Sequence, residues 1–351
     1  MTWEQLDLQA LQLGRHRTHW DTLNQRYYHG HPFADSRFVD GLLRHFGRGT
    51  ECLFAHRHDD GTVDGMVLLA PRSFGVWRQF IPAQLQAGLL LIPNPSVVRQ
   101  LFRALGPTCI SLEFLQQDFK YQALDGLDSA PDVRVQPHST TMEVLLNGTF
   151  NEYWNARSRN LTKNIGRIQR RVASQCTSAV VEEIHDPKEM AAAVQRYGRL
   201  ESAGWKHAVG TALSPDNAQG RFYAEIMQQF AETSQATAYE FWIDGVLAAS
   251  RLLVSGAGMQ IILKTSYDEQ LSQFAPGRLL LRTLLDRSFA AKTHQTIEFY
   301  TNASPDQLAW ATHQRTISHV TYFRYGCLAS AHDIYRRLRL GRRRPTTAVA
   351  A

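Results

Sequence analysis

The chain has 351 residues, of which 44% are hydrophobic and 20% are charged. This composition is typical of a soluble globular protein, and the length suits about two domains. The 38 Lys and Arg residues outnumber the 32 Asp and Glu residues, and much of the excess lies at 157–171 and 336–344. Such local excesses favour anionic partners at two places and argue against a general nucleic-acid-binding protein.

Cysteine and histidine spacing gives no sign of a metal centre. The four cysteines lie far apart, which favours a reducing compartment and predicts neither a disulfide framework nor a zinc site. Of the 14 histidines, the pairs His16/His19 and His56/His58 are interpreted as surface residues. The amino terminus has no apolar signal core, and the longest apolar run, 87–92, is too short to span a bilayer. We therefore expect a cytoplasmic protein without a metal cofactor.

The first part of the chain predicts two helices, a meander of three strands, a short helix and a strand. Hydrophobic periodicity and turn residues assign these elements to 18–28, 36–46, 52–57, 66–71, 76–81, 97–105 and 109–115. The polar, Pro-bearing segment 125–138 is predicted to connect two domains, 1–137 and 138–335.

The second part repeats this order of elements. After a strand at 140–146, the pattern predicts helices from Thr149, at 187–202, at 217–233 and from Gly277, and strands at 179–184, 237–243, 246–254, 259–264, 296–300 and 317–325. A Gly-rich loop with Trp205 lies at 204–212. This repeat of element order predicts an internal duplication. The Arg-rich tail, 336–351, is expected to fray and become disordered, with weak contact to an anionic surface as the alternative.

The helix that follows Thr149 has two distinct faces. Leu161, Ile165, Ile168 and Val172 form an apolar stripe, and the cations lie on roughly the opposite side: Arg159, Lys163, Arg167, Arg170 and Arg171. No acid lies between residues 157 and 171. The basic face is either solvated or binds a phosphate or carboxylate.

A second anion site is predicted where a strand runs through a loop into a helix, at 259–291. The loop carries Tyr267 and Asp268, and Pro276-Gly277 opens the helix. Backbone N–H groups at a helix start are unpaired and lie at the positive end of the helix dipole. Arg278 adds a full charge there. The alternative is an ordinary connection in which Gly277 serves only the turn.

A series of short motifs occurs in order along the chain: 158–164, Glu201, 204–206, 210–213, Asp244-Gly245, 267–269, Pro276-Gly277 and Leu279-Leu280, with His31-Pro32-Phe33 near the start. Together they resemble the GNAT acyltransferases, and more narrowly the CelD/BcsL-type acetyltransferases, relatives of the FemAB-like double-GNAT enzymes. The family's late Asp-Phe pair is Glu298-Phe299 here, and its Tyr-Lys pair before a Trp is Asp306-Gln307.

The resemblance implies an α/β (mixed α+β) fold of tandem GNAT-like domains, each with a mixed, largely antiparallel central sheet flanked by helices. An acyl-CoA would lie between the splayed strands 259–264 and 296–300, as co-substrate, with its pyrophosphate on the turn 272–277 and its pantetheine along the first strand. The implied cofactor-binding residues are Ile262, Leu263, Lys264, Gln273, Gly277 and Arg278.

Acyl transfer to an amine needs a neutral amine, a donor for the oxyanion and a group that takes the proton. The candidates for catalysis are Tyr267, Asp268, Glu201 and Glu298. The candidates for binding the acceptor are Arg159, Lys163, Trp205 and Lys206. Each also has a structural interpretation: Glu298 can be paired inside a strand, and Trp205 can be a core anchor. The first half lacks such a set of residues, so we expect it to complete the acceptor groove.

Three functions follow from these residues. The preferred one is an N-acyltransferase that uses acetyl-CoA or another acyl-CoA and acts on a small-molecule or glycan-precursor acceptor, such as an amino sugar, in polysaccharide biosynthesis. The second is a FemAB-like transferase that takes its aminoacyl group from tRNA, the one case in which a nucleic-acid partner is expected. The third is a non-catalytic double-GNAT binding module.

Overall fold

The computed structural model describes residues 1–121, 129–203 and 213–341, apart from the side chains of 203 and 339–341. The strands are β1 Thr2–Leu6, β2 Cys52–Arg57, β3 Val63–Ser73, β4 Val76–Gln79, β5 Ser111–Asp118, β6 Val133–Leu145, β7 Ala179–Ile184, β8 Ala236–Ile243, β9 Val246–Gly256, β10 Met259–Tyr267, β11 Thr296–Glu298 and β12 His313–Phe323. The α-helices are α1 Arg17–Tyr28, α2 Ser36–Phe46, α3 Leu101–Ala104, α4 Phe150–Asn155, α5 Arg159–Gln175, α6 Pro187–Ala203, α7 Ala218–Ala231, α8 Pro276–Ala291, α9 Pro305–Leu308 and α10 Gly326–Gly341.

The strands form one sheet with the order β1-β2-β3-β4-β5-β12-β6-β11-β10-β9-β8-β7. This order is symmetric: each half has an antiparallel meander, β1–β4 or β7–β10, and a parallel pair, β4·β5 or β10·β11. The last strand of each half pairs into the other half, since β12 lies beside β5, and β6 beside β11. The predicted mixed, largely antiparallel fold of two similar halves is confirmed, and exchange of the last strands joins the two predicted sheets.

Local sequence signals explain most helix starts. The Thr149 side chain accepts a hydrogen bond from the Glu152 N–H, and the Glu152 carboxylate accepts one from the Thr149 N–H, so this capping box begins α4. Ser158 then caps a separate helix, α5, where the periodicity had predicted one continuous helix. The predicted apolar stripe of α5 is confirmed, because Leu161, Ile165, Ile168 and Val172 are all buried.

Several boundaries differ from the sequence-based expectations. Strand β6 begins at Val133, inside the segment predicted to connect two domains, so the predicted boundary after residue 137 falls within a strand. Helix α10 continues to Gly341, past the predicted start of the tail, and the expected disordered segment lies outside the described residues. His16 and His56 are only 8% and 1% exposed, so their interpretation as surface residues was wrong.

Among the described residues, no helix combines the length and the apolar character that crossing a membrane requires.

Candidate functional site

A gap opens in the sheet where β10 and β11 part. The two strands pair in parallel over only three residues, Met259–Ile261 with Thr296–Glu298. The chain then leaves β11: Phe299 donates its N–H to the Met142 carbonyl, and Tyr300 has a φ of 44°. Strand β10 continues to Tyr267, with a bulge at Leu263. Beyond Ile261, no strand of the described residues therefore lies beside the edge of β10 that faces β11.

This gap is the floor of a groove of about 760 Å³. Its size is typical of a ligand site. The groove is lined by residues from β9, β10, the start of α8, the segment after β11 and one loop of the first half: Gln86, Met142, Arg251, Ile262, Leu263, Lys264, Thr265, Tyr267, Ser272, Ala275, Gly277, Arg278, Leu281, Phe299, Thr301, Asp306, Gln307 and Trp310. Of the residues proposed from sequence, the groove brings together Ile262, Leu263, Lys264, Tyr267, Gly277 and Arg278.

Helix α8 begins at one end of this groove. Ala275 takes the left-handed conformation, with a φ of 40°, and Pro276 is the first helical residue. Gly277 does not have a positive φ, so it is not the residue that makes the turn. The N–H groups of Ala275 and Arg278 donate to carbonyls within the turn, and only the Gly277 N–H lacks an acceptor among the described residues. The sequence had predicted several free donors here.

Arg251 supplies a positive charge beside the start of α8. It lies on β9, is only 7% exposed, and lines the groove beneath the start of α8. Its guanidinium donates to the Thr265 hydroxyl at 3.0 Å and to the Gly277 carbonyl at 3.2 Å, and its Nε–H is buried without an acceptor. No carboxylate among the described residues pairs with it. Burial lowers the pKa of Arg251 to about 10, so it remains a cation at neutral pH.

The charge of Arg278 is neutralised by a neighbouring carboxylate. Its guanidinium forms an ion pair with Asp306, whose side chain is 60% exposed, at the rim of the groove. Nearby, Arg171 of α5 donates to the Gln273 carbonyl at 2.9 Å, and the Gln273 residue itself is exposed. An anion that binds Arg278 would therefore share its charge with Asp306 or displace that carboxylate.

The other end of the groove lies near the bulge of β10. Lys264 Nζ is 3.6 Å from a carboxylate oxygen of Glu201 and lies over the Tyr223 ring, 5.4 Å from its centroid. Glu201 is 2% exposed, and its other oxygen accepts the Leu213 N–H at 3.0 Å. Gln86, from the first half, donates to the Leu263 carbonyl at 3.2 Å, and its Oε1 is buried without a partner. The Lys264–Glu201 pair is thus the charged pair beside the strand gap.

Glu298 belongs to a different cluster, on the opposite face of the sheet. Its neighbours Ile297 and Phe299 pack under α8, so strand alternation turns Glu298 away. It is fully buried and paired with Lys120 at 2.8 Å and with Arg315 at 2.9 Å. Burial raises the pKa of Glu298 to about 7, against the opposing effect of Arg315 and Lys120.

The four central strands each supply one charged residue to this cluster, which we call the central charge network: Asp118 of β5, Glu143 of β6, Glu298 of β11 and Arg315 of β12, joined by Lys120. These contacts favour the structural interpretation of Glu298, because its oxygens hold together strands of both halves.

The remaining proposed residues lie elsewhere. The Asp268 carboxylate accepts the Gln270 N–H at 2.8 Å and caps the 3₁₀ turn after β10, and Asp268 does not line the groove. Arg159 and Lys163 are exposed on α5, also outside the groove lining. Trp205 and Lys206 lie outside the described residues.

Sequence reasoning missed Arg251 and Gln86. Arg251 had a usable signal, because it is the one charged residue in the apolar run 246–254, and a cation inside a buried strand requires a polar partner. Gln86 had none, since only the tertiary fold brings its loop to β10.

Known proteins share both the domain and the fold. Residues 159–308 match the family described as Acetyltransferase (GNAT) domain. The crystal structure of FemX is similar over 93% of this chain and 99% of its own, with a TM-score of 0.59 and 11% identity. No curated relative matches the sequence.

Two further structures have the same fold. The C-terminal domain of a putative lysylphosphatidylglycerol synthetase from Agrobacterium fabrum is similar over 91% of this chain and 95% of its own, with 12% identity and a TM-score of 0.54. L-PGS from Bacillus licheniformis is similar over 92% and 96%, with 10% identity and a TM-score of 0.53. At these identities the likeness concerns the fold. Together with the match of residues 159–308 to the GNAT domain, it supports a GNAT-like fold of two similar halves and, in general terms, an acyltransferase.

Proposed function

We propose that the protein is an N-acyltransferase that takes its acyl group, most simply acetyl, from CoA and transfers it to an amino group of a polar acceptor. The observation that carries this proposal is Arg251, a buried cation at the start of α8 for which the described part of the chain provides no counter-ion. The cytoplasm, our expected location, would supply the acyl-CoA.

A buried, uncompensated guanidinium is unfavourable, and more so beside the positive end of a helix dipole. An anion in the groove would remove both penalties. The CoA pyrophosphate suits this position, because it could accept from Arg251 and from the free Gly277 N–H together. Its pantetheine arm would then run along the unpaired edge of β10 toward Ile262 and Leu263.

This orientation separates the phosphate end from the reacting end. Six residues of strand, from Ile261 to Tyr267, span about 20 Å. Tyr267 lies at the phosphate end, since a Cβ on Gly277 would meet its ring at 3.5 Å. The thioester would lie near the bulge at Leu263, beside the Lys264–Glu201 pair.

At that point the acceptor nitrogen would attack the thioester carbonyl carbon. A C–N bond forms and the C–S bond breaks, the nitrogen loses one proton, and the CoA thiolate takes one up. Of the proposed carboxylates, Glu201 has the position for the proton acceptor, since it meets Lys264 next to the gap. Asp268, Glu298 and Tyr267 remain catalytic candidates from the motif series. Gln273 remains a candidate for binding the cofactor, on the same basis.

The acceptor would approach from the side of Gln86 and Lys264, where both halves of the chain meet. Arg159, Lys163, Trp205 and Lys206 remain proposed acceptor ligands from the motif series. An amino sugar or polysaccharide precursor fits the CelD/BcsL resemblance, and this finer placement depends on the short motifs alone.

The test is isothermal titration of the whole protein with CoA and with acetyl-CoA, followed by a thiol-release assay with amino-sugar acceptors. We expect CoA to bind with a Kd in the micromolar range. Absence of detectable binding at millimolar CoA would remove the proposal.

A second candidate, an aminoacyl-tRNA donor, is favoured by the basic face of α5. Arg159, Lys163 and Arg170 are exposed, and the described residues provide no acidic partner for them. A tRNA bound by this face would show an affinity that falls steeply with salt. If charged tRNA does not bind, or if it binds with an affinity that does not fall with salt, acyl-CoA remains the proposed donor. The third alternative, a non-catalytic module, has no support in the domain match.

A further inference from the structure

Strand β3 carries a bulge that directs one carboxylate toward two histidines. In the β2–β3 hairpin His56 lies opposite Gly65 and Arg57 opposite Val63, so Asp64 is an extra residue in β3. Bulges of this kind re-aim a side chain out of the regular alternation. His56 and His58, two residues apart on the same chain, lie on either side of the Asp64 carboxylate. We call these three residues the hairpin cluster.

The distances within the hairpin cluster are short. His56 Nδ1 lies 2.6 Å from Asp64 Oδ1, and His58 Nε2 lies 2.6 Å from Asp64 Oδ2. One ligand atom from each residue falls within a common span of 4.8 Å. The three side chains are 1%, 14% and 26% exposed in the order His56, Asp64, His58, so the cluster is buried on one side and open to water on the other.

A neighbouring amide fixes the orientation of the buried imidazole. His56 Nε2 lies 3.2 Å from Gln100 Oε1, and the Trp3 ring packs against the imidazole with centroids 5.2 Å apart. An amide oxygen only accepts, so Nε2 carries a proton and Nδ1 faces the carboxylate. Metal-bound histidines are held in the same way, by donating their second N–H to an oxygen.

With neutral imidazoles, the Nδ1 lone pair of His56 faces a carboxylate oxygen, and the contact is repulsive unless a cation lies between them. Two imidazoles and one carboxylate are a ligand set for divalent transition metals, with zinc and cobalt among those that accept it. Bonds of about 2.1 Å in a tetrahedral site separate the ligand atoms by roughly 3.4 Å. The imidazoles therefore need to move away from Asp64 by less than ~1 Å, and water can fill the open position beside His58.

We propose that the hairpin cluster binds one divalent transition-metal ion through His56, His58 and Asp64. The ion would join β2 to β3 and give the first half of the chain a structural site of its own. Strand β3 lies six positions from β10 in the sheet, roughly 29 Å at the usual strand spacing, so the site is independent of the acyl-transfer groove. The absence of cysteine ligands, from which the sequence predicted no metal, does not exclude an all-nitrogen-and-oxygen site.

The test is titration of the chelator-treated full chain with Co²⁺, followed by visible absorption and isothermal titration. We expect one equivalent to bind, and Asp64→Asn and His58→Gln each to weaken binding at least tenfold. His185→Gln is the matched control, because His185 contacts one carboxylate, Glu183, and the Thr237 hydroxyl, and belongs to no three-ligand cluster among the described residues. Gln100→Ala, which leaves all three ligands in place, should weaken binding about tenfold through loss of orientation.

His58 is partly exposed, so its substitution should leave the fold intact, and circular dichroism of each variant checks this. The proposal is overturned if the wild-type protein binds no Co²⁺ or Zn²⁺, or if binding is unchanged in both Asp64→Asn and His58→Gln. The proposal is also overturned if nitrogen NMR at neutral pH, in the presence of metal, shows that all four ring nitrogens of His56 and His58 are protonated. That result would mean an imidazolium–carboxylate–imidazolium triad without a metal ion.

Discussion

The guanidinium of Arg251 donates to the carbonyl oxygen of Gly277 over 3.2 Å and thereby ties β9 to the first turn of α8. The contact puts a buried cation beside the positive end of a 16-residue helix. A cation there is disfavoured by the helix dipole and by loss of hydration. An anion beside Arg251 would offset both effects.

Arg251→Met should weaken CoA binding at least tenfold, because a hydrogen bond between charged groups contributes about 1.5–3 kcal/mol. The same substitution should leave the free energy of unfolding unchanged or raise it, since an uncompensated charge is removed. Titration calorimetry and urea unfolding measure the two effects. Arg287→Gln, on α8 and paired with Glu183, is the control and should change CoA binding little. A parallel loss of stability and affinity would instead make Arg251 a structural residue.

Asp306→Asn should tighten CoA binding by up to about fivefold. The substitution removes the ion-pair partner of Arg278, and exposed pairs of this kind contribute up to about 1 kcal/mol. Asp333→Asn, which breaks the pair with Arg134, is the matched control for loss of one surface acid. Unchanged affinity in Asp306→Asn would mean that Arg278 does not meet the ligand.

Ala275→Gly should stabilise the protein by about 0.5–1 kcal/mol, because Ala275 has a left-handed backbone with a φ of 40°. Ala290→Gly, at an exposed position of the same helix, should instead destabilise by about 1 kcal/mol. Midpoints of urea unfolding report both. If Ala275→Gly is destabilising, the strain inferred at the start of α8 is absent.

Glu201→Gln and Tyr267→Phe should affect different kinetic constants. Glu201 is paired with Lys264, which lines the reacting end of the groove, so Glu201→Gln should lower kcat by about 10²–10⁴-fold with little change in KM. Tyr267 lies at the phosphate end, so Tyr267→Phe should mainly raise the KM for acetyl-CoA. A large loss of kcat in Tyr267→Phe alone would return the catalytic role to Tyr267.

The stability of the protein should fall as the pH rises from 6.5 to 8. Burial raises the pKa of Glu298 from 4.5 to about 7, so the folded state favours its protonated form. Stability contributed by such a group is complete below its unfolded pKa and is lost as the pH passes through the folded pKa. Urea unfolding at several pH values should show this fall in the wild type and a smaller one in Glu298→Gln.

The other groups around Glu298 keep the same protonation state in this window: Asp118 and Glu143 stay ionised, and His31 stays neutral. Burial opposes the ionisation of Asp118 and Glu143, but their contacts with Arg315 and Lys120 outweigh this effect, so the pKa values of both carboxyls are lowered. Burial lowers the pKa of the His31 imidazole to about 3. An equal pH dependence in the wild type and in Glu298→Gln would therefore assign the effect to a group outside the central charge network.

Local signals were sufficient for most elements of this fold. The helix start at Thr149, the apolar stripe of α5 and the turns of the meander are encoded by neighbouring residues, so the sequence predicted them, although it did not predict the separate cap at Ser158. The short motifs were likewise sufficient to indicate the GNAT domain that residues 159–308 match. Strand β12 was predicted as a strand, but nothing local indicates that it pairs with β5 of the other half.

The chemistry of the site was decided by distant contacts. Arg278 was expected to hold a phosphate, yet Asp306 neutralises it, and the free charge belongs to Arg251 on another strand. The sequence indicated a surface position for His56, but in the folded protein the bulge at Asp64 and the amide of Gln100 enclose its side chain. Periodicity and capping act over a few residues and can be read from the sequence, whereas the pairing and burial of a charge depend on which side chains the folded sheet brings within a few ångströms.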